Sequence, residues 1–104
     1  MENTRQYKRY PTQREAFYCL QERMTEKQGC TIFNVSRKGM GIAFHTTDPI
    51  SIGEPIRLEI PVATALECIS VSGMVKWLDR VEFDVIGGIE LNKELSDVKF
   101  SKLC

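Results

Sequence analysis

The chain has 104 residues, 11.9 kDa, of which 42% are hydrophobic and 27% charged; this is ordinary globular composition and enough length to close one core, not two. Its formal net charge is +0, which argues against a general nucleic-acid binder, since such proteins carry a cationic excess to displace counterions. No apolar run is long enough for a membrane-spanning helix.

Residues 1–14 lack apolar periodicity and hold Arg5, Lys8, Arg9 and Arg14 against one carboxylate, Glu2, a net +3 that the remainder balances. Pro11 disfavours a helix through Tyr10. The reading is a flexible basic arm over 1–14 followed by a folded domain over 15–104. Ala16 to Gln21 is predicted as a first strand and Glu22 to Gly29 as a polar turn region. Cys30 to Ser36 reads as a second strand, with Phe33 and Val35 on one face and Asn34 and Ser36 together on the other. Arg37-Lys38-Gly39 reads as a tight, solvated hairpin turn whose glycine takes a positive φ. Met40 to His45 returns as a third strand, with Met40, Ile42 and Phe44 inward and His45 outward.

After the loop around Pro49 and Gly53-Glu54-Pro55, Ile56, Leu58 and Ile60 alternate with Arg57 and Glu59 as a half-buried strand. Ile69, Val71, Gly73, Val75 and Trp77 share a parity, and Gly73 is placed at a bend or bulge. Leu78-Asp79-Arg80 is predicted as the turn into a last strand with Phe83, Val85, Ile89 and Leu91, whose register Gly87-Gly88 can shift. Asn92 or Ser96 can cap a short helix towards Leu103. Phe33, Phe44, Trp77 and Phe83 are read as core because each shares the parity of aliphatic neighbours. Six short strands separated by polar turns predict an all-β fold, a small antiparallel barrel in which closure removes exposed edges.

Cys19, Cys30, Cys68 and Cys104 form no Cys-x-x-Cys pair, and the first residues are too polar for a secretory signal, so a reduced, cytoplasmic protein is expected, with Cys19 and Cys30 as small buried hydrophobes. No metal site is expected. A single outward histidine, no recognisable carboxylate pair and no phosphate loop leave nothing on which to build a catalytic mechanism, and the protein is read as a non-enzyme without a cofactor.

Two polar signatures carry the functional reading. Arg5-x-x-x-Arg9 and Asn34-x-Ser36-x-x-Gly39 are separated by 24 intervening residues. Arginine offers a planar fork for phosphate or for the O6/N7 edge of guanine, and Asn, Ser and Gly offer small hydrogen-bonding groups and an open backbone. In an extended chain Arg5 and Arg9 stand about 13 Å apart, close enough to address one ligand. With Gly41-Ile42, Gly73-x-Val75-x-Trp77 and Gly88-Ile89-Glu90-Leu91, these motifs make the chain resemble the PilZ domain family, whose members bind cyclic di-GMP. The resemblance implies a six-stranded antiparallel β-barrel of the split-barrel type with a short C-terminal helix. It also implies a bacterial receptor that binds cyclic di-GMP through Arg5, Arg9, Asn34, Ser36 and Gly39 on the outside of the barrel and signals to a downstream protein by ordering its N-terminal arm. Neither nucleic acid nor membrane insertion is expected. The alternative is a PilZ-like interaction adaptor that binds no nucleotide. Gln6 stands where many relatives have a second arginine, which leaves open whether one nucleotide or a stacked pair binds.

Overall fold

A computed structural model describes residues 8–20, 27–45, 49–62 and 67–103. The chain forms β1 (Tyr10–Leu20), β2 (Gln28–Val35), β3 (Gly39–Phe44), β4 (Pro55–Pro61), β5 (Cys68–Val81), β6 (Asp84–Leu91) and α1 (Asp97–Leu103). The strands close into an antiparallel barrel in the order β1-β2-β3-β6-β5-β4. Burial drives the closure. Tyr18, Ile32, Val35, Met40, Ile42, Phe44, Ile56, Leu58, Ile60, Val75, Ile89 and Leu91 are all sequestered inside, and each such side chain contributes about 1.5–3 kcal/mol relative to exposure. The rings of Tyr18 and Phe44 meet edge to face, 5.0 Å between centroids. Cys30 is fully buried, and burial pushes its thiol up to about 12, so it acts as a small hydrophobe.

The alternation predicted for Ile56, Leu58 and Ile60 is observed, as is the inward set Met40, Ile42 and Phe44. His45 is exposed, with Nε2 2.8 Å from Thr31 Oγ1. Ser96 caps α1: its Oγ accepts the N–H of Lys99 at 3.2 Å. The helix closes one end of the barrel by burying Leu103, with Leu95 buried just ahead of it.

Several expectations are corrected. β1 begins at Tyr10, not Ala16, because its early inward positions, Thr12 and Arg14, are polar and hide the alternation; Arg14 is held at the helix end, its Nη2 donating to Lys102 O at 3.1 Å. β2 carries an irregularity between Ile32 and Asn34, so Ile32 and Val35 are the buried residues and Phe33 leaves the core side. A second irregularity lies between Val75 and Trp77, not at Gly73, and Trp77 emerges 42% exposed. Leu78, Asp79 and Arg80 continue β5; the turn is at Glu82 and Phe83, with Glu82 at φ 55° and Phe83 almost wholly in solvent. Gly39 does not take a positive φ.

Gly73 serves close approach: a Cβ there would collide with the backbone carbonyl of Glu90 on β6 and with the Ile89 side chain. Gly29 has open space around its Cβ position. Gly73→Ala is therefore expected to cost about 1–3 kcal/mol in thermal or urea unfolding, since the obstructing atom is backbone. Gly29→Ala is expected to be neutral or stabilising by a few tenths of a kcal/mol or more, because alanine only narrows the unfolded ensemble.

Candidate functional site

Register brings the two polar signatures together. Tyr10 pairs with Val35 and Pro11 with Asn34, so the residue before β1, Arg9, lies beside the turn that follows β2. There its Nη1 donates to Asn34 Oδ1 at 2.8 Å, a partly buried contact across 25 positions of sequence. Asn34 is neutral. It orients the guanidinium without cancelling the charge, as an aspartate there would. Arg9 Nη2 lies 3.5 Å from where a Cβ on Gly39 would stand, and the carbonyl of Ile89 lies 2.8 Å from that point. Any side chain at position 39 would press on the β6 backbone and crowd the guanidinium. Arg5 lies outside the described residues.

Ser36 is not aligned with Asn34 as an open ligand group. It is buried in the turn, where its Oγ accepts the N–H of Gly39 at 3.0 Å and of Lys38 at 3.3 Å and donates to Gly39 O at 3.2 Å. A backbone bond from Ser36 N to Gly39 O at 2.8 Å completes the loop. The serine thus fixes the turn that positions Gly39 and its neighbours.

Arg37 and Lys38, read from sequence as solvated turn residues, tie this loop to the C-terminal segment. Leu91 N donates to Lys38 O and Leu95 N to Arg37 O, each at 2.7 Å. Arg37 pairs with Asp97 and lies over the ring of Phe100, 4.7 Å from its centroid. Phe100 in turn meets Tyr10 edge to face at 5.6 Å, and Lys8 lies 5.7 Å over Tyr10. Lys8, Arg9, Arg37 and Lys38 gather positive charge at this end of the barrel.

Next to Asn34 a row of paired residues crosses β3, β6 and β5. Asn34 pairs with Gly41 on β3, Gly41 with Gly88 on β6, and Gly88 with Trp77 on β5. The Phe33 ring covers Gly41, with Cε1 2.6 Å from the point a Cβ would occupy, and the Trp77 indole covers Gly88. The backbone of both glycines is thus buried beneath two aromatic rings, which the shifts in β2 and β5 turn outward. Sequence parity assigned Phe33 and Trp77 to the core and so missed this row. The available signal was the pair of glycines at matched strand positions, since exposed glycine backbone in a sheet is commonly covered by a neighbouring aromatic.

Comparison with known proteins bears on this arrangement. The family model described as "PilZ domain" matches residues 3–103. The Bacillus subtilis inhibitor of motility MotI/DgrA has a similar structure, with TM-score 0.74 and 15% identity over 98% of this chain and 49% of that one; the chain thus spans about half the length of MotI. The PilZ domain of YcgR from Escherichia coli, solved with c-di-GMP, superposes with TM-score 0.72 and 12% identity, covering 97% of this chain and 86% of that one. No curated protein matches in sequence. With the family model spanning nearly all of a closed six-stranded barrel and its terminal helix, the chain belongs to the PilZ domain family.

Proposed function

We propose that this PilZ domain is a non-enzymatic receptor for cyclic di-GMP, which it holds against the outer face of β2, β3 and β6. The observation that carries the reading is the Arg9–Asn34 hydrogen bond beside Gly39, which joins a residue from each polar signature. Family membership and the likeness to a c-di-GMP-bound PilZ fold support it.

The chemistry follows from the ligand. Cyclic di-GMP has two phosphate charges in a compact ring and two guanines, each with O6 and N7 acceptors on one edge. Arg9 supplies a fork for a guanine edge or a phosphate, pre-oriented by Asn34, which lowers the ordering cost on binding. The Asn34 amide adds donors, and Gly39 lets the ligand approach the backbone. Ser36 acts through the turn it holds together. Phe33 and Trp77 offer ring faces next to the polar contacts, suited to a base. Arg5, four residues ahead of Arg9, closes over the ligand from the arm. Ordering of that arm alters the Tyr10–Phe100 and Arg37–Phe100 contacts and so passes binding to α1 and a downstream protein.

Calorimetric titration of cyclic di-GMP into the protein tests the assignment. Saturable binding at micromolar protein is expected. Arg9→Ala is expected to weaken it about 10- to 100-fold, the range for a lost charge-assisted hydrogen bond. Arg9→Lys restores little, because a point charge does not reproduce the fork. Absence of heat, or unchanged affinity in Arg9→Ala and Asn34→Ala, contradicts the assignment and favours the adaptor reading.

Trp77 has a separate test. Trp77→Ala is expected to lower affinity at least about fivefold, in line with the value of one base–aromatic stack. Phe83→Ala, equally aromatic and more exposed but at the β5–β6 turn, is expected to leave affinity unchanged.

A further inference from the structure

A second surface lies where β6 parts from β5. The β5–β6 ladder starts at the pair Gly73 and Leu91, and the last contact before the chain leaves is Asn92 N–H to Ser72 O at 2.9 Å. From Cys68 to Ser72, β5 has β4 on one side and, among the described residues, no strand on the other. In an antiparallel ladder the N–H and C=O of one residue point to the same side, and the side alternates along the strand. The Ser70 N–H and C=O therefore point, like the Ser72 carbonyl, to the open edge. Five residues of edge extend about 17 Å.

The departing chain forms the facing wall. Residues 92–96 and the start of α1 enclose, with β4 and β5, a cavity of about 420 Å³ lined by Arg57, Ser70, Ser72, Lys93, Glu94 and Lys99 among others. A smaller hollow of about 190 Å³ shares Arg57, Ser72 and Asn92 and extends the groove past Cys19 and Pro55. Among the described residues, Arg57, Lys93 and Lys99 form no ion pair, whereas Lys27, Arg37, Lys76 and Lys102 each hold a carboxylate. Glu94 is the single acidic side chain in the lining. The edge itself presents the exposed, small Ser70 and Ser72, without the proline, bulge or inward charge that commonly protects such an edge.

We propose that this groove takes an extended, acidic segment of a partner protein, which adds as a strand to the Cys68–Ser72 edge of β5. Backbone bonds to the N–H and C=O of Ser70 supply affinity, the Ser72 carbonyl being already taken by Asn92 N–H, and alternate carboxylates of the segment meet Arg57, Lys93 and Lys99. One wall of the groove, residues 92–96, is hydrogen-bonded to the Arg37–Lys38 turn, but none of Arg9, Asn34 and Gly39 lines it, and the inference stands whether or not the domain binds a nucleotide.

Two-dimensional ¹H–¹⁵N NMR with a capped synthetic heptapeptide alternating Glu with Val or Thr tests it. Saturable shifts are expected at the amides of Ser70, Ser72, Asn92 and Lys93, weakening as salt rises. A peptide with Lys in place of Glu, and one with Pro at its central position, are each expected to bind at least about fivefold more weakly, because one lacks the charge and the other a ladder donor. The double variant Lys93→Glu, Lys99→Glu is expected to lose as much with an unchanged melting temperature, while Arg9→Ala binds the peptide like the unsubstituted protein. No shifts at millimolar peptide, or equal binding of the Lys or Pro peptides, overturns the proposal; in that case the lysines only guard the edge.

Discussion

One extra residue in β2 decides which side chains of this barrel meet solvent. Between Ile32 and Asn34 the pairing with β3 slips, so Ile32 and Val35 both point into the core while Phe33 and Asn34 belong to the outer surface. Without that slip, strict alternation would place Asn34 with Ile32 inside, where an unpaired amide is costly, and leave Val35 outside. The shift at Val75/Trp77 does the same for the indole. Each irregularity interrupts one rung of the ladder, and together they give an apolar interior and an outer strip on which Phe33 and Trp77 cover Gly41 and Gly88.

The cationic end of that strip depends on a second constraint, the meeting of β1 with the end of β2. Pairing of Tyr10 with Val35 and of Pro11 with Asn34 brings Arg9 beside Asn34, whose Oδ1 accepts from the guanidinium. Such an arrangement loses little side-chain entropy when a ligand arrives. The same loop is held from the other side by Arg37, Lys38 and the segment leading to α1. A change at Arg9 therefore has a short path of packed contacts, through Tyr10 and Phe100, to the element that closes the barrel.

The fold was largely legible in the sequence. Alternation in Ile56-Arg57-Leu58-Glu59-Ile60 and in Met40 to Phe44 reports one buried face directly, and Ser96 followed by Asp97 marks a helix start. Less visible was the beginning of β1, because Thr12 and Arg14 face inward near the helix end and break the apolar signal. Local parity also misplaced Phe33, Trp77 and Phe83: a bulge has no composition of its own, and a hairpin tip is set by where β6 can pair, which a single strand does not encode. Of the candidate site, Arg9, Asn34 and Gly39 are brought together, Ser36 lies in the same turn with its hydroxyl already engaged, and Arg5 falls outside the described residues. The groove beside β5 left no mark in the sequence, since it arises from the departure of one strand from its neighbour.

The central claim is that cyclic di-GMP is held on the outer face beside Arg9. A residue-resolved ¹H–¹⁵N titration with the nucleotide tests it most directly. The account predicts saturable shifts at the amides of Gly39, Gly41 and Gly88 and at the Trp77 indole N–H, with Ser70 and Ser72 unmoved. Shifts confined to any other face, or none at saturating nucleotide, would contradict it.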